Sequence, residues 1–213
     1  MQAVEPGAPG TLWIVSAASG AGKTSLLKAL RATDPRLGVS VSHTTRARRP
    51  REQDGIDYHF VTPEVFQELL RAGAFLEYAQ VFDHYYGTAA SSVSRHLATG
   101  QDLVLVIDWQ GARQVREQFP SARSIFILPP SRKTLRERLM SRGQDAPAII
   151  DRRIQDSVSE MSHYTEYDYL VINDCFDTAL EELRNIVQAE RFATRRRVAA
   201  LGADFLQALL RDD

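Results

Sequence analysis

A phosphate-binding loop is the strongest chemical signal in this sequence. A short apolar run, residues 12–16, leads through small residues to Gly22, Lys23 and Thr24 at the start of a helical pattern. Small residues let successive backbone N–H groups curl around a polyphosphate, and the following helix points its positive N-terminus at the same anion. Lys23 is then placed to reach the β- and γ-phosphates of a nucleoside triphosphate, and the Thr24 hydroxyl to hold Mg²⁺.

One position of this loop departs from the strict pattern Gly-x-x-x-x-Gly-Lys-Ser/Thr, because Ala17 stands where the first glycine is expected. The alternative interpretation is a glycine-rich turn that joins a strand to a helix and binds nothing. Strand, loop, Gly-Lys-Thr and helix all agree, however, so the sequence predicts a protein that binds a nucleoside triphosphate.

A second candidate site combines crowded arginines with a carboxylate. Arg46, Arg48, Arg49 and Arg51 lie within six positions. Guanidinium groups this close repel one another unless an anion gathers them, and the arginine fork matches phosphate oxygens. Without the phosphate-binding loop, a solvated basic turn or a nucleic-acid patch would be favoured. Further along, Glu77 could accept two hydrogen bonds from the Watson–Crick edge of guanine, a pair that adenine cannot donate, although most glutamates are surface residues.

Alternating strands and helices must position these side chains. Continuous apolar runs at 103–107, 124–128 and 169–172 predict buried parallel strands, and further strands are expected over 12–16, 39–45 and 57–61. Helices are expected over about 24–32, after Thr62-Pro63, over 89–100, from Ser131 to about 142 and from about 177. Residues 42–88, which are rich in Arg, Tyr and Gly, form a substrate-binding insertion in this interpretation. The predicted fold is α/β, with a doubly wound parallel-sheet core.

Composition limits the partners and the compartment. The chain has 213 residues, a formal net charge of −1 and a single cysteine. The charge gives no reason to expect nucleic acid or an anionic membrane as a partner, and one cysteine suits a reducing cytoplasm. No apolar run approaches the roughly 18 residues of a membrane span. Residues 1–10 lack the pattern of a signal peptide and are expected to be a disordered leader.

Ten ordered motifs resemble nucleoside-monophosphate kinases of the guanylate kinase type, and specifically the bacterial ones. They run from about residue 12 to 190, nearly the whole chain. The motifs are residues 16–24, 41–46, 55–58, 75–77, 85–88, 107–111, 125–131, 141–145, 160–164 and 167–174. The resemblance implies a P-loop core (11–41, 89–130 and 165–197), a mixed α/β GMP-binding insertion (42–88), a small helical lid (131–164) and a C-terminal helix or tail (198–213).

The resemblance also implies roles for individual positions. The donor ATP, with Mg²⁺ on Thr24, is expected to contact Ala17, Ala18, Ser19, Gly20, Ala21, Gly22, Lys23, Thr24, Arg138, Arg142, Arg153 and Asn173. The acceptor, GMP or dGMP, is expected to have its phosphate gripped by Arg46, Arg49, Tyr58 and Tyr86, and its guanine side contacted by Ser42, Glu77, Thr88 and Asp108. The catalytic cations implied are Lys23, Arg46, Arg142 and Arg153. Arg138 and Arg142 are four residues apart, so they share one helix face, which could also be an exposed basic face.

Some positions depart from the family pattern. Arg48 replaces a usual proline, Arg51 a usual glycine, Val106 a frequent acidic residue and Ala18 a usual proline. Three other functions stay open at this point: a kinase for another small phosphate ester, a non-catalytic phosphopeptide-binding module of guanylate-kinase-like type, and a plain nucleotide- or nucleic-acid-binding module. The resemblance also leaves a homo-oligomer open.

Overall fold

Two sheets, one parallel and one mixed, organise the chain. The computed structural model describes residues 9–50, 52–81, 83–141 and 147–211. Within them the strands are β1 (Leu12–Ala17), β2 (Leu37–Val39), β3 (His43–Thr44), β4 (His59–Phe60), β5 (Phe75–Val81), β6 (His84–Ala89), β7 (Asp102–Val106), β8 (Arg123–Leu128) and β9 (Tyr169–Ile172). The helices are α1 (Lys23–Thr33), α2 (Pro63–Arg71), α3 (Ala90–Leu97), α4 (Trp109–Gln118), α5 (Arg132–Ser141), α6 (Pro147–Met161), α7 (Phe176–Phe192), α8 (Thr194–Leu201) and α9 (Ala203–Ala208).

The larger sheet is parallel throughout, in the order β2-β7-β1-β8-β9. Successive residues of β1 point to opposite faces, and both faces are covered. Trp13 and Val15 pack in one apolar cluster with residues of α1 and α7. Leu12 and Ile14 pack in a second cluster with residues of α3 and α4. Helices on both faces of a parallel sheet make this the doubly wound α/β fold that the sequence predicts.

The smaller sheet has the order β4-β3-β6-β5 and is mostly antiparallel. The prediction of a single strand over 39–45 is wrong, because the structure has two short strands there. Leu37–Val39 pairs with the core sheet and His43–Thr44 with the second sheet, so the chain passes from one sheet to the other between them. The expected strand over 57–61 shortens to His59–Phe60. The two helices α5 and α6 pack on each other through Leu135, Leu139 and Ile150.

Buried ion pairs connect helices α7 and α8 to residues at or near the start of the core strands β2 and β7. The carboxylate of Asp102, the first residue of β7, accepts from the Thr11 backbone N–H at 2.8 Å and from Arg191 Nε at 2.7 Å. Arg191 also pairs with Asp34, and Arg196 reaches Asp102 at 2.7 Å. This network lies at the N-terminal edge of the parallel sheet, opposite the edge from which the phosphate-binding loop extends. Among the helices of the described ranges, none is long and apolar enough to cross a membrane.

Candidate active site

The phosphate-binding loop follows β1 directly and ends where α1 begins. Gly20 and Gly22 both have φ of +95°, a left-handed conformation that glycine adopts without strain. A Cβ on Gly22 would lie 2.2 Å from Asn173 Nδ2, so this glycine is also required by packing. Ala17 is the last residue of β1, where the backbone is extended and alanine fits. The absence of glycine at this position therefore leaves the loop intact.

One cavity joins the phosphate-binding loop to the second sheet. Its volume is about 290 Å³. It brings together twelve of the residues that the sequence assigns to the two nucleotides. They are Ala17, Ala18, Ser19, Gly20, Gly22, Lys23, Thr24, Ser42, Tyr58, Glu77, Tyr86 and Asp108. The carboxyl ends of β1 and β7 supply the loop and Asp108, which is where ligands bind in open α/β sheets.

Lys23 carries the positive charge of this cavity and faces two carboxylates. Burial lowers the pKa of Lys23, and the negative charges of Glu160 and Asp108 oppose that shift. Glu160 lines the cavity, and its Oε2 accepts a hydrogen bond from the Ser19 backbone N–H at 3.3 Å. Burial raises the pKa of Glu160, while Lys23 and Ser19 counteract it. The Lys23 cation and the Glu160 and Asp108 carboxylates therefore lie together at the phosphate-binding loop.

Glu77 is a buried carboxylate at the other end of the cavity, with 3% of its surface exposed. Burial raises its pKa to about 7, hydrogen bonds from Thr88 oppose that shift, and the charge of Asp108 adds to it. The Ser42 and Thr88 hydroxyls are 3.0 Å apart, which links Ser42 through Thr88 to the carboxylate. Asp108 caps helix α4 by accepting from Gly111 N–H at 2.8 Å. A buried acceptor of this kind selects a ligand that can donate hydrogen bonds to it.

Gly111 leaves the room that the Glu77 carboxylate fills. A methyl group at position 111 would lie 2.7 Å from Glu77 Oε2, closer than real Cβ contacts. The sequence predicts no role in the site for this glycine. It lies three residues after Asp108 in helix α4, where glycine is unfavourable and so signals a close approach.

Two members of the arginine cluster, Arg46 and Arg49, contact an internal counterion, while Arg51 lies outside the described residues. Arg46 donates two hydrogen bonds to Glu52, at 2.8 and 3.0 Å, and its guanidinium lies 5.6 Å from the centre of the Tyr58 ring. The Arg49 backbone N–H donates to the same carboxylate at 2.9 Å. Partial burial disfavours the charge of Glu52, but Arg46 and Arg49 outweigh it and hold its pKa below the ordinary value. Glu52, for which the sequence predicts no role, is therefore the anion that offsets the charge of Arg46 and Arg49 in this structure.

Of the assigned residues that the structure describes, seven do not line the cavity. Thr88 and Ala21 are buried, and Arg46, Arg49, Arg138 and Arg153 are not among the lining residues, although Arg46 contacts the lining residue Tyr58. Asn173 is 4% exposed, and its amide donates to the Ala21 carbonyl at 2.7 Å, so it supports the loop and does not present a free face to a base. Arg138 donates to the Asn173 carbonyl at 2.9 Å. Arg142 lies outside the described residues.

Oxygen donors at the cavity fit Mg²⁺ carried by phosphates. Thr24 offers a hydroxyl, and Asp108 and Glu160 offer carboxylates. Mg²⁺ is usually held in proteins by one or two such groups together with water and substrate phosphates. Within the ranges that the structure describes, no cluster of three or more His, Cys, Asp or Glu side chains could form a metal cage on its own.

Comparison with known proteins decides the family. A family model described as guanylate kinase matches residues 10–190. The chain belongs to the guanylate kinase family. It is 56% identical to the guanylate kinase of Alkalilimnicola ehrlichii over 202 residues, which cover 95% of this chain and 99% of the relative. It is 57% identical to the guanylate kinase of Chromohalobacter salexigens, over 97% of this chain and 96% of the relative.

The guanylate kinase fold is matched over the same extent. The crystal structure of guanylate kinase from Anaplasma phagocytophilum superposes with a TM-score of 0.77 at 31% identity, covering 97% of this chain and 98% of that one. The fold predicted from the sequence, an α/β fold with a P-loop and a doubly wound parallel-sheet core, is confirmed. No observation favours the scaffold-module or other-substrate alternatives.

Proposed function

We propose that this enzyme transfers the γ-phosphoryl group of ATP to GMP or dGMP, giving ADP and GDP or dGDP. The observation that carries the proposal is the single cavity in which Lys23 and the phosphate-binding loop face the buried carboxylate of Glu77. Both substrates are anions, so catalysis consists of aligning them and neutralising charge, with no covalent intermediate on the enzyme.

The donor half of the site is assigned to residues 17–24. Their backbone N–H groups and the N-terminus of α1 take the ATP phosphates, and Lys23 brings its ammonium group to the β- and γ-phosphates. Thr24 would hold the Mg²⁺ that accompanies ATP, and this ion would neutralise part of the phosphate charge. Asn173 acts on this half indirectly, since its bond to Ala21 fixes the loop.

The acceptor half is assigned to the second sheet and to Asp108. Glu77 accepts from the guanine N1–H and exocyclic amine, and Ser42 and Thr88 orient that carboxylate. Tyr58 and Tyr86, whose rings are 6.0 Å apart, line the path toward the GMP phosphate. Arg46 and Arg49 offset the charge of that phosphate. To bind it, Arg46 must release the Glu52 carboxylate with which it is paired in this structure.

The lid is assigned to α5 and α6. Arg138 and Arg153, and Arg142 by sequence alone, are proposed to meet the triphosphate when the lid closes, as membership of the guanylate kinase family implies. Closure would bring positive charge to the phosphoryl group in transit and exclude water that would otherwise hydrolyse ATP.

We also propose the cytoplasm as the location, because a single, exposed cysteine suits a reducing compartment. Self-association stays a prediction. Apolar side chains that would favour it are exposed on the last helices, at Phe192, Phe205 and Leu209.

A coupled assay of ADP release tests the proposal. GMP and dGMP should be turned over, while AMP, CMP and UMP should be poor acceptors by about 10⁴-fold or more, because none of them can donate the pair of hydrogen bonds that Glu77 accepts from guanine. Lys23→Ala should abolish transfer while leaving the protein folded. Lys28→Ala, which removes an exposed lysine of the same helix, should keep wild-type turnover. Equal use of AMP and GMP would contradict the role of Glu77, and an active Lys23→Ala variant that of the loop.

A further inference from the structure

A backbone irregularity places Glu77 in the cavity. Pairing between β5 and β6 skips a residue, since Phe75 pairs with Ala89 and Glu77 with Thr88. Leu76 is the extra residue of this β-bulge, and Leu76 and Glu77 are both buried, at 1% and 3% exposure. In a regular strand, two successive side chains point to opposite faces. Bulges redirect a side chain in this way and are common beside active sites.

The bulged segment belongs to β5, an edge strand that has a neighbouring strand on only one side. In the described sheet β5 is the last strand, next to β6. On the other side, α4 supplies hydrogen bonds through two glutamines. Gln114 accepts from Tyr78 N–H at 3.1 Å and donates to the Tyr78 carbonyl at 2.8 Å. Gln118 donates to the Leu76 carbonyl at 2.8 Å. Hydrogen bonds thus hold the backbone on both sides of Glu77.

A glutamine suits this task because its amide is donor and acceptor at once, like a peptide group of a neighbouring strand. Gln114 and Gln118 are four residues apart and therefore share one face of α4. The N-terminus of the same helix is capped by Asp108. The helix consequently fixes the two cavity carboxylates, Glu77 and Asp108, relative to each other.

We propose that Gln114 and Gln118 are positioning residues for guanine recognition, acting through the bulged backbone that they clamp. This inference rests on the proposed role of Glu77 as the guanine acceptor. Two hydrogen bonds to a base require the carboxylate to stay within about half an ångström of its working position. Misplacement of about 1 Å can cost a hundredfold in rate or affinity.

A double-mutant cycle tests the proposal. Gln114→Leu keeps the size of the side chain and removes both bonds, and we expect it to raise the KM for GMP about 10- to 50-fold while the KM for ATP stays within twofold. In a Glu77→Gln background the same substitution should change the KM for GMP less than threefold, because there is no carboxylate left to misplace. Gln118→Leu should act in the same direction with a smaller effect. Gln188→Leu, an exposed helical glutamine of α7, is the matched control and should change nothing.

Hydrogen exchange gives a readout that does not depend on turnover. The Tyr78 amide donates to Gln114, so its protection should fall in Gln114→Leu and persist in Gln188→Leu. Additive effects of Gln114→Leu and Glu77→Gln would overturn the positioning role, as would an equal rise in the KM for ATP. A wild type that phosphorylates AMP as well as GMP would instead refute the proposed function of Glu77 itself.

Discussion

Gly111→Ala should separate substrate recognition from stability, because the two effects have opposite signs. Alanine is favoured over glycine inside a helix by up to about 1 kcal/mol, so α4 itself gains from the change. The new methyl group would lie 2.7 Å from Glu77 Oε2, whereas an ordinary C···O contact needs about 3.3 Å or more. The carboxylate must therefore move by roughly 0.6 Å, since the methyl group is fixed to the helix backbone.

The magnitude follows from the bonds that this movement disturbs. A hydrogen bond to a charged group contributes about 1.5–3 kcal/mol. Loss of one of the two bonds that guanine makes to Glu77 should then raise the KM for GMP about 10- to 150-fold. The KM for ATP should stay unchanged, because the donor loop makes no contact with position 111.

Steady-state kinetics with GMP varied at saturating ATP, together with thermal melting, measure both effects. We expect a large rise in the KM for GMP and a melting temperature equal to or above that of the wild type. Ser94→Ala, on the exposed side of α3, raises helix propensity without approaching Glu77 and should leave the kinetics unchanged. A wild-type KM for GMP in Gly111→Ala would refute the reasoning that this glycine makes room for a working carboxylate.

Three further outcomes are expected from the same structure. Burial raises the pKa of Glu77 to about 7, so the folded protein keeps a proton that the unfolded chain releases near the ordinary value of 4.5. The stability that this proton contributes is complete below about pH 4.5 and is lost as pH rises through about 7. The melting temperature of the wild type should therefore fall over this pH range by more than that of Glu77→Gln. Asp102→Ala removes one of the two carboxylates that pair with buried Arg191 and should lower the free energy of unfolding by about 1–3 kcal/mol in urea titrations; an unchanged midpoint would contradict the role of the network. Asn173→Ala leaves the Ala21 carbonyl without its 2.7 Å bond and should raise the KM for ATP about tenfold with the KM for GMP unchanged; the reverse pattern would remove its assignment to the loop.

The parts of the fold that the sequence predicts are those with a local signal. The strand, loop and helix around Lys23 are contiguous, and β7, β8 and β9 are continuous apolar runs, so periodicity alone locates them. The division of 39–45 between two sheets has no such signal, because it depends on partners about 45 to 65 residues away along the chain.

The candidate site shows the same limit. Glu160 reaches Ser19 from 141 positions further along the chain, and no local pattern distinguishes it from a surface glutamate. Asn173 follows a core strand, as the sequence indicates, but which group it contacts depends on how β9 lies beside the loop. The bulge at Leu76 is likewise a property of strand pairing, which the alternation of residues in β5 does not reveal.

The ion pairs of Arg191 also govern when the protein can finish folding during synthesis. Asp34 and Asp102 leave the ribosome 157 and 89 residues before Arg191, and both occupy nearly buried positions. Until α7 has emerged, these two carboxylates lack their cation, and the apolar face formed with α1 lacks its cover. A nascent chain that already contains the complete phosphate-binding loop therefore remains an unfinished domain, exposed to proteases and chaperones, until α7 is made.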